Sequence, residues 1–167
     1  MVASNGHAGH PSKPPGPASE VRAKATAGCG RVLIVDDDAV VRCVLERVLR
    51  MNGYDVVSVS SGEEAVAMYR ALSTAVDVVL LDMTMPGMDG YDTFRALQTI
   101  RADARVVLVS GAADPGRVER ALGEGAFGFF GKPFTAAQVL SIVEAAVGRK
   151  ADSASPPSPR AGTASGR

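Results

Sequence analysis

Polar side chains that could do chemistry follow four of five short apolar runs in this chain, each at the point where a run ends. In chain order they are Asp36, Asp37, Asp38, Asp82, Ser110 and Lys132. Carboxylates that lie close together repel one another, and their pKa values rise unless a cation joins them. A hard divalent ion such as Mg²⁺ takes carboxylate oxygens as ligands and keeps several waters. A carboxylate can also attack a phosphoryl group and become an acyl phosphate. The ion and the lysine ammonium would then neutralise the transferred charge, and the serine hydroxyl would donate to a phosphoryl oxygen.

The apolar runs that carry these side chains are mostly β-branched, which is typical of parallel strands covered on both faces. They span residues 32–35, 56–59, 78–81, 106–109 and 127–130. Ser58 interrupts the second run, which is followed by no comparable chemical group, and this pattern suits a strand at the edge of the sheet.

Helical patterns lie between the runs, with markers at residues 41–49, 61–72, 91–97, 117–122 and 135–146. Gly53 follows the first pattern as a stop signal. Ser61 with Glu64, and Thr135 with Gln138, have the spacing of a capping box. Strand and helix therefore alternate five times, which predicts an α/β fold with a parallel sheet and helices on both faces. In such folds ligands bind beyond the carboxyl ends of the strands, where the strand order reverses.

Each of these polar residues also has a purely structural interpretation. Asp38 is best interpreted as the N-cap of the first helix, and Asp89 has the same position before the third. Taken singly, Lys132 would be a surface lysine, Ser110 a turn or cap residue, and Asp82 the start of a turn. Their joint placement at one edge of one sheet favours a shared site over independent structural roles.

Length, composition and charge limit the classes of function that this chain could have. The 167 residues suggest one domain with tails, and the formal net charge is zero, so nothing draws the chain to nucleic acid or to an anionic membrane. Residues 29–148 contain 11 Lys and Arg against 16 Asp and Glu, whereas the flanking residues contain 7 against 2. An acidic domain with clustered carboxylates indicates a cation site more than a phosphate-backbone groove. Neither a membrane-spanning run nor a secretory signal is evident, and we expect a cytoplasmic protein.

Residues 1–28 and 149–167 are rich in Gly, Pro, Ala and Ser, and this composition predicts disorder. His7 and His10 lie in the first tail, where a solvated segment is a better interpretation than a metal pair. A docking role for the basic second tail stays open beside that of a solvated linker. Cys29 and Cys43 lack metal-ligand spacing and are expected to be reduced thiols.

Four segments together resemble the receiver domain of two-component response regulators. They are VLIVDDD (32–38), VVLLDMTMPGMDG (78–90), VVLVSGAA (106–113) and FFGKPF (129–134), in family order and at family spacing. The resemblance covers about residues 30–148, which we expect to form a receiver domain over residues 29–148. It implies a flavodoxin-like, doubly wound sheet of five parallel strands in the order 2-1-3-4-5.

The resemblance also implies a role for each acidic residue. Asp82 would be the phospho-acceptor. Asp37 and Asp82 would bind Mg²⁺ (or Mn²⁺) directly, together with the main-chain carbonyl of Thr84, and Asp36 would hold the ion through water. Lys132 would contact the phosphoryl group.

A second group of residues would carry the conformational response. Ser110 would be the switch hydroxyl and Phe129 the switch aromatic, with the small Gly111 leaving space for the ring and a cis bond preceding Pro133. Phe129 lacks the hydroxyl of the tyrosine often found in the family, so its switching would be weaker or purely steric.

Two further departures from the family pattern concern the lifetime of the phosphoryl group. Thr84 and Ala112 stand where the family often has an amide or acid that orients the attacking water. We therefore expect slow hydrolysis of phospho-Asp82.

The resulting hypothesis is a single-domain response regulator, not an enzyme beyond catalysing its own phosphorylation and dephosphorylation. It would receive a phosphoryl group from a sensor histidine kinase or a histidine phosphotransfer protein and then bind an unknown downstream protein. No DNA-binding output domain is expected after Gly148, and no nucleic acid or membrane partner. One alternative is a receiver-like interaction module that is never phosphorylated. A haloacid-dehalogenase-like phosphatase is less favoured because Thr84 stands where a second aspartate is needed and no lid insertion is present.

Overall fold

A five-stranded parallel sheet forms the centre of the protein. The computed structural model describes residues 29–111 and 115–148. The strands are β1 (Arg31–Val35), β2 (Asp55–Val59), β3 (Val78–Asp82), β4 (Val106–Ser110) and β5 (Gly128–Gly131). Their order is β2-β1-β3-β4-β5, as the family resemblance implied, every neighbouring pair is parallel, and β2 is an edge strand.

Five helices alternate with the strands. They are α1 (Ala39–Met51), α2 (Gly62–Leu72), α3 (Gly90–Ile100), α4 (Pro115–Gly123) and α5 (Ala136–Gly148). Among the described residues none of these helices is long and apolar enough to cross a membrane.

The sheet separates two apolar cores because successive side chains of a strand point to opposite faces. One core joins alternate strand residues such as Leu33 and Leu81 to α2, α3 and α4. The other joins the intervening residues, such as Ile34 and Leu80, to α1 and α5. The two covered faces explain why β1, β3 and β4 are almost continuously apolar.

The predicted aspartate caps are confirmed. Asp38 Oδ1 accepts hydrogen bonds from the main-chain N–H groups of Val40 and Val41 at 2.8 and 3.4 Å, and so caps α1. Asp89 caps α3 by accepting from the N–H of Asp92 at 2.9 Å. Each cap satisfies donors that the first turn of a helix leaves without intrahelical partners.

Of the two predicted capping boxes, one is complete and one is altered. Thr135 and Gln138 bond reciprocally before α5. Before α2, Ser61 Oγ accepts from the N–H of Glu64, but the Glu64 carboxylate accepts from the N–H of Ser60, one residue earlier than the motif requires.

Two boundaries differ from the sequence prediction. The fifth strand begins at Gly128 and extends to Gly131, one residue later than the apolar run, because β5 pairs with β4 in the register Val107 to Gly128. The fourth helix begins at Pro115, two residues before the predicted start, with the proline at its first position, where a missing N–H costs nothing. The predicted tails, His7 and His10 lie outside the described residues.

Candidate functional site

Three carboxylates meet at the carboxyl ends of β1 and β3. Asp36 and Asp37 directly follow β1, and Asp82 is the last residue of β3. Each offers an oxygen within 4.8 Å of the others. β1 and β3 are neighbours in the sheet, so the order of the strands brings together residues that are 46 or 45 positions apart in the chain. Asp36 and Asp82 are buried, with 1% and 4% of their surface exposed, whereas Asp37 is open to solvent.

The Lys132 ammonium lies between the two buried carboxylates. Its Nζ donates to Asp36 Oδ2 at 2.7 Å and to Asp82 Oδ2 at 2.8 Å. Lys132 follows β5 directly, and the peptide bond to Pro133 is cis, as the resemblance implied. Three carboxylates and one ammonium leave a formal charge of −2 at the site. That charge and the all-oxygen donor set suit a divalent cation such as Mg²⁺.

Burial and the hydrogen bond between Asp36 and Lys132 shift the pKa values of these two residues in opposite directions. Burial raises the pKa of Asp36 above its ordinary value and the Asp82 charge adds to the rise, while the hydrogen bonds from Lys132 and from the N–H of Asp38 oppose it. Burial alone would lower the pKa of Lys132, but its hydrogen bonds to Asp36 and Asp82 outweigh burial and raise that pKa. The lysine is therefore a cation at neutral pH.

The main chain after β3 holds the Asp82 carboxylate. The N–H of Thr84 donates to Asp82 Oδ1 at 3.0 Å, so the two carboxylate oxygens have separate partners: Thr84 for Oδ1 and Lys132 for Oδ2. The Thr84 residue itself is exposed. Its main-chain carbonyl as a metal ligand stays a prediction.

Ser110 ends β4 beside these residues and is buried, with 2% of its surface exposed. Its main-chain oxygen accepts a hydrogen bond from the N–H of Lys132 at 2.6 Å, which fixes the end of β4 against the lysine. The sheet thus places Ser110 at the same edge as the carboxylates and Lys132.

Phe129 lies on β5, where 43% of its surface is exposed, so in this structure the ring is turned largely to solvent. A Cβ added at Gly111 would meet no atom within 4 Å. Space is therefore available beside the end of β4. Ala112, which the sequence analysis singled out, lies outside the described residues.

Two glycines that the sequence analysis did not single out hold the loop after β3. A Cβ on Gly90 would overlap the main chain of Asp82 and Met83, and one on Gly62 would overlap Thr93 and the main chain of Met88. The start of α3 therefore packs directly against the backbone that carries Asp82. Gly90 lies in the quoted segment 78–90, but its close approach could not be recognised from the sequence, since its contact partners become known only in the fold.

Two charged residues that the sequence analysis also missed brace the loops of the site. The Glu63 carboxylate of α2 accepts from the N–H of Met88 at 3.2 Å, in the loop between β3 and α3. Arg42 Nη1 of α1 donates to the main-chain oxygen of Asp36 at 2.6 Å. Both lie on helical segments, where a charged side chain usually indicates only a solvated face.

Comparison with known proteins identifies the family. The profile of the response regulator receiver domain matches residues 32–144, and the chain belongs to that family. The chain is 38% identical over 114 residues to the chemotaxis protein CheY of Bacillus subtilis, covering 68% of this chain and 93% of that protein. It is also 38% identical to the DNA-binding response regulator MtrA of Mycobacterium tuberculosis, covering 73% of this chain and 52% of MtrA.

Solved structures agree. A chain of the CheX–CheY–BeF₃–Mg²⁺ complex from Borrelia burgdorferi is 33% identical and superposes with a TM-score of 0.66, covering 70% of this chain and 87% of that one. The fold and family are those of two-component signalling domains, and this family assignment replaces the haloacid-dehalogenase-like alternative.

Proposed function

We propose that Asp82 accepts a phosphoryl group from a phosphohistidine of a sensor kinase or of a histidine phosphotransfer protein. One observation carries the proposal: the buried Asp82 carboxylate is 2.8 Å from the Lys132 ammonium and within 4.8 Å of two further carboxylates at the rim of the sheet. The reaction would form a bond between an Asp82 oxygen and phosphorus while the bond from phosphorus to the imidazole nitrogen breaks. The leaving imidazole would take its proton from solvent.

The chain's own residues would position the reactants. Asp36, Asp37, Asp82 and the Thr84 carbonyl would hold Mg²⁺ (or Mn²⁺). When bound, the ion would neutralise charge on the phosphoryl oxygens. Lys132 would exchange a carboxylate partner for a phosphoryl oxygen, which keeps one positive charge at the site throughout. Because phosphoryl transfer depends on positioning and charge neutralisation, these fixed groups are the catalytic apparatus that the reaction needs.

The phosphorylated state would differ at the end of β4. Phosphorylation adds a charge of about −1.5 to −2 and three acceptor oxygens at Asp82. The Ser110 hydroxyl would donate to one of them, and Phe129 would turn from solvent toward the space beside Gly111. The resulting change on α4, β5 and α5 would alter the affinity for a downstream protein, as a shift between two populations.

The MtrA comparison shows that receiver domains also occur within longer regulators, so action without an attached output domain stays part of the proposal. The cytoplasmic location and the absence of nucleic-acid and membrane partners likewise stay predictions.

Incubation with Mg²⁺ and acetyl phosphate, followed by intact-mass measurement, tests the proposal. We expect one added phosphoryl group that requires Mg²⁺ and is absent from the Asp82→Asn variant. No adduct with the native protein, together with no response to beryllofluoride, would instead favour the interaction module that is never phosphorylated.

A further inference from the structure

Arg42 contacts the main chain of the acidic loop rather than any carboxylate of the site. It is the fourth residue of α1, and its Nη1 donates to the main-chain oxygen of Asp36 at 2.6 Å. The acceptor is the carbonyl of the peptide group that joins Asp36 to Asp37. Peptide groups are planar, so fixing this carbonyl also fixes the direction of the Asp37 N–H and the position of its Cα.

The polar groups of Asp36 are all engaged. Its N–H donates to the main-chain oxygen of Val59 at 3.3 Å, Oδ1 accepts from the N–H of Asp38 at 2.9 Å, and Oδ2 accepts from Lys132. Arg42 supplies the remaining contact, to the carbonyl. Asp37 differs because its side chain is exposed and can rotate in solvent, so the main chain that carries it sets the region that its carboxylate can reach.

We propose that Arg42 is a positioning residue for the metal site, which holds the Asp36–Asp37 peptide so that the Asp37 carboxylate is directed at the cation. This inference rests on the proposed function, since it assigns a support to the Mg²⁺ site that the phosphoryl transfer requires. Groups that orient metal ligands from outside the ligand set commonly change metal affinity by about 10- to 100-fold when they are removed.

The positive charge of Arg42 and its hydrogen bond to Asp36 predict opposite effects on the affinity for Mg²⁺. A guanidinium bound to the main chain of the acidic loop repels a divalent cation, so removing the charge alone would strengthen Mg²⁺ binding. Loss of the hydrogen bond would weaken binding by releasing the peptide. The sign of the change therefore separates the two roles. Arg42 lines an open cavity of about 330 Å³ with Glu46 and Glu64, where a smaller side chain would be solvated instead of leaving a closed void.

The test is a calorimetric titration of the full chain with Mg²⁺ alone, comparing the native protein with Arg42→Gln, Arg42→Lys and Arg47→Gln. Arg47 is exposed on the same helix and serves as the control for loss of one positive charge. We expect Arg42→Gln to raise the Kd for Mg²⁺ by about tenfold or more. Arg42→Lys should be intermediate, and Arg47→Gln should stay within about twofold of the native value.

A second measurement separates positioning from general damage. The rate of phosphorylation by acetyl phosphate should fall in Arg42→Gln at low Mg²⁺ and return toward the native rate as Mg²⁺ is raised to saturation. A merely structural role would lower the rate at every Mg²⁺ concentration. Far-UV circular dichroism confirms that each variant is folded, and if Arg42→Gln does not fold, Arg42→Lys decides by the same criterion, with a Kd at least about threefold weaker expected.

The inference is overturned if the Arg42 variant binds Mg²⁺ as tightly as the native chain or more tightly, or if saturating Mg²⁺ leaves its phosphorylation rate low. Failure of the native protein to bind Mg²⁺ or to be phosphorylated is a different outcome. It would overturn the proposed function, and this inference with it.

Discussion

Replacement of Lys132 by methionine tests the electrostatics of the site directly. Methionine is similar in length but carries no charge, so Asp36 and Asp82 would face each other without the ammonium that lies between them. Removing one partner of a fully buried ion pair typically costs about 3 to 5 kcal/mol. The lysine side chain is 22% exposed and the site opens to solvent at the sheet edge, so we expect a loss of about 2 to 3 kcal/mol in the free energy of unfolding.

Magnesium should compensate for much of that loss. The ammonium no longer competes for the Asp36 and Asp82 oxygens, so the variant should bind Mg²⁺ more tightly than the native chain. At a concentration about 100 times its Kd, a ligand that binds only the native state adds about 2.7 kcal/mol of stability. Mg²⁺ should therefore stabilise Lys132→Met more than the native protein at the same concentration, while phosphorylation of Asp82 is lost or strongly slowed.

The assay is urea unfolding in chelator and in Mg²⁺, followed by far-UV circular dichroism because the chain has no tryptophan. Arg47→Met, which removes an exposed cation from α1, is the matched control and should change stability by no more than about 0.5 kcal/mol. Equal stability of Lys132→Met and the native protein in chelator would refute the reasoning. It would mean that the carboxylates do not depend on the ammonium for their place in the fold.

Three other substitutions or measurements test separate features. Gly90→Ala should lose about 1 to 3 kcal/mol of folding stability and be phosphorylated more slowly, because its Cβ would displace the main chain of Asp82. The control Gly123→Ala, where a Cβ meets no atom within 4 Å, should show neither effect. Burial raises the pKa of Tyr69, so the native protein should lose stability as pH rises above the unfolded value of about 10, where the unfolded phenol ionises first. Tyr69→Phe should reduce that alkaline loss and change neutral stability by less than about 1 kcal/mol, since the buried hydroxyl, which lies beside Arg101, makes no hydrogen bond of standard geometry with any described residue. Finally, because Thr84 has no amide or acid to orient water, phospho-Asp82 should hydrolyse slowly.

Each of these three predictions has a result that would contradict it. Native phosphorylation kinetics in Gly90→Ala would show that the loop after β3 tolerates displacement. An alkaline stability profile that Tyr69→Phe leaves unchanged would assign the loss to other groups, such as the buried Tyr54, whose pKa burial also raises. A phosphoryl half-life of seconds without a phosphatase would contradict the slow-hydrolysis prediction.

The sequence by itself determined the order of elements and the edge of the sheet at which the polar side chains meet. Continuous β-branched runs separated by helical patterns leave little choice but a parallel sheet, and parallel strands align their carboxyl ends. Residues that directly follow such strands, as Asp82 and Lys132 do, must then lie at one edge whatever the details of packing. The caps at Asp38 and Asp89 were predictable for a related reason, because a capping bond spans only two or three residues.

Only the tertiary structure decided which other residues hold the site residues in place. Arg42 and Gly90 contact the main chain of site residues, and such contacts depend on where helices pack, which no local pattern encodes. The same holds for the two hydrogen bonds of Lys132, since Asp36 is 96 residues away along the chain. Sequence spacing determines local geometry and the edge of the sheet at which side chains emerge. The exact contact distances, to a few tenths of an ångström, depend on how the two cores pack against the sheet.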